Sequence, residues 1–459
     1  MNDMTNFART AEARDIAYHF HGYTNAERHR EVGPMIIDHG EGIYVLDSEG
    51  RRYIEGLSGL WSVGVGFNEP RLVEAMTKQA RKLPFYHNFG HKSHGPIIDL
   101  AEKLIALAPV PMSKVFFTNS GSEANDTVLK MIWYRSNAMG KPDKKKVIAR
   151  QRGYHGVTIA AASLTGLTNN HRSFDLPIGR VLHTSSPHYW REGREGESEE
   201  AFATRCAEEL EALIQAEGPD TIAAFFAEPV MGAGGVVTPP ATYFEKIQAV
   251  LARHDILFVA DEVICGFGRT GQMFGSQTYD LRPDIMVMSK QITSSYVPFS
   301  AIMVNDRVFD PIAEESGRIG TFGHGFTAGG HPVGAAVALE NLAIIEERDL
   351  VANAREVGAH FRGRLAQLAD SPIVGEVRGV GLIAALELVD DKKAKSVATP
   401  ARLGGLMNAA MQRNGLISRN MIDAVAFCPP LIMTRRQADD MFEIIAASLR
   451  EVEAQAAAG

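Results

Sequence analysis

Short apolar runs alternate with amphipathic stretches along most of this chain. The runs Lys114–Asn119, Val147–Gln151, Val181–Thr184, Ile222–Val230, Leu257–Val263, Ile285–Ser289 and Ser300–Val304 mostly do not alternate apolar with polar positions. Strands covered on both faces read in this way. Ala201–Glu217 and Thr242–His254 carry apolar residues at helical spacing, as do Pro70–Lys82 and Pro96–Ala106 ahead of the first run. Strands alternating with helices predict an α/β fold, a mainly parallel sheet between helical layers. Before this pattern starts, Ile43–Asp47 and Arg51–Leu57 flank Ser48-Glu49-Gly50 and predict a hairpin. After Pro332 the texture changes. Long helices are expected over Val333–Glu346 and Val351–Leu368, then a strand pair and a last helix near Arg436–Glu453, with the Ala-rich end fraying.

Composition adds mainly exclusions. The chain has 459 residues, 45% of them hydrophobic and 22% charged, enough for more than one sizeable core. Its net charge is -8, and its one dense basic run, Lys144-Lys145-Lys146, reads as a solvated loop. No nucleic-acid or membrane partner is expected from that balance. No apolar stretch is long enough for a membrane span, and the first residues lack a signal core, so a cytoplasmic protein is expected. Cys206, Cys265 and Cys428 lie far apart and suggest neither a disulfide framework nor a zinc site.

Three segments carry candidate chemistry. Phe116–Asn125 runs from a strand into a helix, with Ser120 and Glu123 at capping-box spacing and Gly121 letting an anion approach the backbone. The free N–H groups and positive dipole end there suit a phosphate, although an ordinary capped helix has the same signature. Gly266–Gly271 satisfies G-x-G-x-x-G, but Gln272–Asp280 has no apolar helical period, so a dinucleotide fold is not expected. Asp261 and Lys290 each close a candidate strand, where polar groups of parallel sheets face the ligand crevice. Schiff-base chemistry would resolve the cost of a buried lysine, and a carboxylate could keep a pyridine nitrogen protonated. A salt bridge between the two is the plainer alternative.

Together the segments resemble the class III, fold-type-I pyridoxal-phosphate (PLP) aminotransferases. Phe117–Asn125 (FTNSGSEAN), Glu228–Gly235 (EPVMGAGG), Asp261–Gly271 (DEVICGFGRTG), Met288–Lys290 (MSK) and Phe322–Pro332 (FGHGFTAGGHP) match in the family's order, over roughly residues 35 to 435. Leu60-Trp61, Phe85-Tyr86-His87, Tyr154-His155-Gly156 and Pro187–Arg191 are similar to the ω-amino-acid and amine:pyruvate branch. Ala233 stands where ornithine- and γ-aminobutyrate-type members usually carry Glu, which argues against those types.

The resemblance implies a large domain over 66–332 with a mainly parallel, seven-stranded type of sheet. It also implies a small α+β domain made from 333–459 and the N-terminal segment 1–65. The expected activity is transfer of an amino group from a primary amine or ω-amino acid to a keto acid such as pyruvate. Lys290 would form the Schiff base and shuttle the proton. Asp261, supported by Glu228, would pair with the ring nitrogen. Tyr154 and Val263 would cover the two ring faces, and Ser120, Gly121 and Ser122 would hold the phosphate. His155 would line the cofactor site or only hold the Tyr154 loop. Thr327 would reach the neighbouring subunit's phosphate, implying a homodimer or dimer of dimers with shared sites. Trp61, Phe89 and Tyr154 would line the substrate pocket, the first two alternatively being plain core. Arg419 would bind a keto-acid carboxylate and swing away for uncharged amines. Ile422 stands where members usually have Gly and puts that movement in doubt. His87, His91 and His94 fall in the pocket segment, and no metal is expected. Decarboxylation or isomerisation in the same fold, and a non-catalytic member, are the alternatives.

Overall fold

The computed structural model describes residues 10–458. Its centre is a seven-stranded sheet in the order Lys114–Thr118, Ser300–Val304, Ile285–Met288, Leu257–Asp261, Ile222–Ala227, Lys146–Arg150, Val181–Thr184. The last five run parallel. Ser300–Val304 is antiparallel to both its neighbours. Ile222–Ala227, Leu257–Asp261 and Ile285–Met288 are buried at every position, which is why their sequences are continuous apolar runs rather than alternating ones.

The structure differs from the sequence expectation in informative places. The strand from Leu257 stops at Asp261 rather than Val263. Beyond it, the buried Glu262 carboxylate accepts the Gly275 and Ser276 backbone N–H groups at 2.9 and 2.6 Å and turns the chain away from the sheet. A helix over Asp306–Ile319 was not legible, because it contains Pro311 and buries only Val308 and Ile312. Proline cannot donate to the carbonyl of Arg307, four residues back. Arg135 Nε donates to that carbonyl instead, at 2.9 Å. The last helix runs on from Arg435 to Ala458, past the expected end.

The hairpin is present as Tyr44–Asp47 and Arg52–Glu55, with Ile37–Glu41 added as a third antiparallel strand. The added strand is almost wholly exposed, so no apolar alternation announces it. The C-terminal strand Leu416–Ile417 joins the other edge, parallel to Arg52–Glu55. The Gly266–Gly271 segment is a turn, not a dinucleotide loop. Its fully buried Arg269 donates to the Leu382 and Pro429 carbonyls at 2.8 and 2.7 Å, which fastens the C-terminal portion to the central sheet.

Candidate active site

The carboxyl ends of the parallel strands share one edge of the sheet, and the loops leaving them bring the candidate residues together. Asp261 is the last residue of its strand and is 3% exposed. Its Oδ1 accepts the Val263 N–H at 3.1 Å. Its Oδ2 accepts Asn125 Nδ2 at 2.9 Å and faces His155 Nδ1 at 2.7 Å. A carboxylate only accepts, so Nδ1 carries the proton of His155. Three of about four lone-pair positions are thereby filled, and one remains for a further donor.

Two roles are exchanged relative to the sequence reading. Glu228 makes no hydrogen bond to Asp261; its Oε1 accepts the Tyr154 N–H at 2.9 Å and its Oε2 the Gly232 N–H at 3.0 Å. Glu228 therefore holds the Tyr154 loop, and His155 supports Asp261. Burial raises the Glu228 pKa, and the nearby Asp261 charge adds to the rise. Asn125 was missed as a support, although it closes the FTNSGSEAN motif. It lies in the first turns of the helix Gly121–Ala138, is fully buried, and also donates to the His155 carbonyl at 2.7 Å.

Lys290 follows the strand Ile285–Met288 by two residues and opens a short 3-10 turn with a positive φ of 48°. Removal from water lowers its ammonium pKa, and the Asp261 and Glu228 charges oppose that through space. No ion pair joins Lys290 to either carboxylate among the described residues, which removes the plain salt-bridge reading.

At the helix start, Ser120 Oγ accepts the Glu123 N–H at 3.2 Å. The return bond misses the N-cap: the Glu123 carboxylate takes the Asn119 N–H at 2.8 Å. The Gly121 and Ser122 N–H groups belong to the first turn and have no intrahelical partner. A Cβ on Gly121 would lie 3.3 Å from Val263 Cγ2, so the glycine keeps the space between that wall and the helix end open. Ser122 Oγ accepts the Val157 N–H at 3.0 Å, which ties the loop after Tyr154 to the same helix end.

Tyr154 leads to the rim. Burial raises its phenol pKa, and the nearby Tyr23 phenol adds to this while Arg419 opposes it. The Arg419 guanidinium lies 5.7 Å from the centre of the Tyr23 ring. Tyr23 was not anticipated; no motif marks it. Arg419 starts the strand Arg419–Met421, which turns back through Ile422 onto Ala424–Phe427. Ile422 has a φ of 58°, a conformation a β-branched residue adopts only under strain. The residue is 59% exposed.

Three further candidates make no hydrogen bond to Lys290 or Asp261 among the described residues. Trp61 is 2% exposed and packs with Leu57, Val230, Ile264 and Cys428, so much of its surface is core. Phe89 is half exposed, against Gly325, where an added Cβ would meet its ring at 2.6 Å. Thr327, two residues further along, is exposed. No hydrogen bond among the described residues links Phe89 or Thr327 to Lys290 or Asp261.

The donor set fits pyridoxal phosphate. A desolvated lysine feels the charge of a carboxylate that has one acceptor position free, and the same strand ends carry a helix start with unpaired N–H groups. No helix among the described residues is long and apolar enough to cross a membrane. Residues 25–449 match the family model described as aminotransferase class-III. The omega transaminase from Pseudomonas jessenii, solved in complex with PMP, superposes with a TM-score of 0.97 at 57% identity, covering 98% of this chain and 100% of that one. A transaminase solved with L-Ala is 68% identical with a TM-score of 0.91, covering 92% of this chain and 100% of that one. Gamma aminobutyrate transaminase 1, mitochondrial, of Solanum lycopersicum is 49% identical over 433 residues, 94% of this chain and 84% of the relative. The chain belongs to the class III aminotransferases, PLP-dependent enzymes of fold type I.

Proposed function

We propose that this ω-transaminase moves an amino group from a primary amine or ω-amino acid to a keto acid such as pyruvate, and that the Asp261–Lys290 cluster carries the reaction. When bound, PLP supplies the electron sink and the transient carrier of nitrogen. The chain's residues do the rest. Lys290, made less basic by burial, is the nucleophile and the group that takes and returns the substrate proton. Asp261 offers its remaining lone pair to a pyridine N–H, and His155 and Asn125 keep the carboxylate in place. The Gly121 and Ser122 N–H groups and the helix dipole suit a phosphate, with Ser120 as their cap. Tyr154 and Val263 stand as walls on either side, the first fixed by Glu228.

Arg419 is proposed as the carboxylate-binding group, with Tyr154, Trp61 and Phe89 lining the pocket. One triple variant of a thermostable omega transaminase, engineered for asymmetric synthesis of enantiopure bulky amines, replaces a tryptophan, a phenylalanine and an arginine. The spacing of that tryptophan and phenylalanine equals the spacing of Trp61 and Phe89. Phe89 lies against Gly325, two residues from the exposed Thr327, and neither hydrogen-bonds to Lys290 among the described residues, which supports a dimer in which Thr327 serves the partner's site.

The relatives named γ-aminobutyrate transaminases return γ-aminobutyrate to the donor panel despite Ala233. A panel of γ-aminobutyrate, β-alanine and hydrophobic amines against pyruvate and other keto acids tests the assignment. Amine consumption should require the keto acid in equal amount. Carbon dioxide release or isomerisation without a keto acid would contradict it.

A further inference from the structure

The helix Ala11–Tyr18 ends in a cluster of groups that the reaction does not use. Asp15 and His19 stand one helical turn apart, so their side chains share a face. His21 follows in the loop, and His29 comes from the next helix, Ala26–Val32. His19 Nδ1 lies 3.1 Å from Asp15 Oδ2, and His21 Nε2 lies 2.8 Å from Oδ1. His29 Nε2 is 3.0 Å from the same Oδ1. The His19 and His21 rings are 4.0 Å apart, and those of His21 and His29 are 4.3 Å apart. Asp15 has no Lys or Arg partner among the described residues; its charge faces imidazoles alone.

We propose that Asp15, His19 and His21 form a binding site for a divalent transition-metal ion of borderline softness, zinc first. Their three donor atoms all lie within 4.8 Å of one another. An ion bound at about 2.0–2.1 Å from each donor needs them roughly 3.3 Å apart. His21 is near that value from Asp15 Oδ1 and His19 from Oδ2, the three donors lie within 4.8 Å, and rotation of His19, whose side chain is 63% exposed, closes the rest. Imidazole and carboxylate are suitable ligands for such ions. With neutral imidazoles the group carries one negative charge, which complements a dication. His29 hydrogen-bonds to the liganding carboxylate and orients it from outside the coordination shell. Solvent takes the remaining position on the exposed side.

The second cluster of donors among the described residues, His188, Glu376 and Glu387, is a poor rival. Arg378 already pairs with Glu376 and with Glu387, both at 2.6 Å, and an ion would have to displace it. The Asp15 site also has a structural consequence. Tyr23, two residues after His21, lies against Arg419, whose guanidinium is 5.7 Å from the centre of its ring. An ion would therefore fix the segment that reaches the rim of the active site, whatever reaction that site performs.

The test is titration of the untagged holoenzyme with Zn2+ by calorimetry, and with Co2+ by visible absorption. One equivalent should bind, and Co2+ should give the intense visible bands of a low-coordinate site. His21→Ala should abolish that equivalent. His29→Ala should weaken it about 10- to 100-fold, the usual cost of losing an outer-shell partner. His19→Asn changes an exposed residue and serves as the decisive variant if His21→Ala does not fold; it too should lose the equivalent. The proposal is overturned if no stoichiometric binding occurs, or if the bound equivalent survives His19→Asn and His21→Ala unchanged.

Discussion

The floor of the site and its rim are built on opposite principles. On the floor, Asp261 is buried and held by three donors, Glu228 is buried and holds two, and Asn125 is buried between strand and helix. Each of these three is fixed by more than one bond. On the rim, Arg419 is only partly buried and rests on the largely exposed Tyr23 ring. The turn beside it contains a strained, exposed Ile422. Rigid polar floors suit a step whose charges must be met without reorganisation. A loosely held arginine suits a pocket that must accept both a carboxylate and an uncharged amine. A fixed, unpaired buried cation would exclude the amine, because leaving it unpaired costs several kcal/mol (about 3–5).

Substitutions on the floor should therefore damage every substrate alike, and those on the rim should discriminate. The largest effect is expected from Lys290→Ala, which removes the proposed nucleophile and base together. Loss of general acid–base action alone is worth about 10²–10⁴-fold, so steady-state turnover should fall at least that far for all donors. Near-parent turnover would remove Lys290 from the chemistry. Asp261→Asn keeps the shape and loses the charge. Stopped-flow amination should slow by roughly 10- to 150-fold, the equivalent of a charge-assisted hydrogen bond of about 1.5–3 kcal/mol, with cofactor affinity changing less. A half-reaction at the parent rate would refute its role.

Arg419→Ala probes the other half of the comparison. The KM for pyruvate should rise about 10- to 150-fold, and the KM for a hydrophobic amine should change far less. Equal changes in both, or none, would place the arginine outside the pocket. The smallest effect is expected at Ile422. Relief of its left-handed backbone is worth about 1–3 kcal/mol, offset by the roughly 0.5–1 kcal/mol entropic cost of glycine. Ile422→Gly should leave the thermal midpoint unchanged or slightly raised, and a clear fall would contradict the strain argument.

Much of the floor was legible because its chemistry sits in contiguous motifs. FTNSGSEAN marks the helix end, and Asp261 and Lys290 each close an apolar run. What the chain could not reveal is which long-range partner each side chain finds. His155 and Asp261 are distant in sequence, and only the packing of two loops decides that His155, not Glu228, supports the carboxylate. The rim was less legible for a different reason. Tyr23 lies in an exposed N-terminal segment with no apolar period. Its neighbourhood with Arg419 arises from bringing the chain's two ends together, as the pairing of Leu416–Ile417 with Arg52–Glu55 does for the strands. The helix with Pro311 failed for a third reason: a tertiary bond from Arg135 satisfies the carbonyl that proline leaves open.

The central claim is that Lys290 is the residue that bonds to the cofactor. Borohydride reduction of the resting holoenzyme followed by peptide mass spectrometry tests it most directly. A pyridoxyl group on Lys290 and on no other lysine, with irreversible loss of activity, is the predicted result. A label on another lysine, or full activity after reduction, would contradict it.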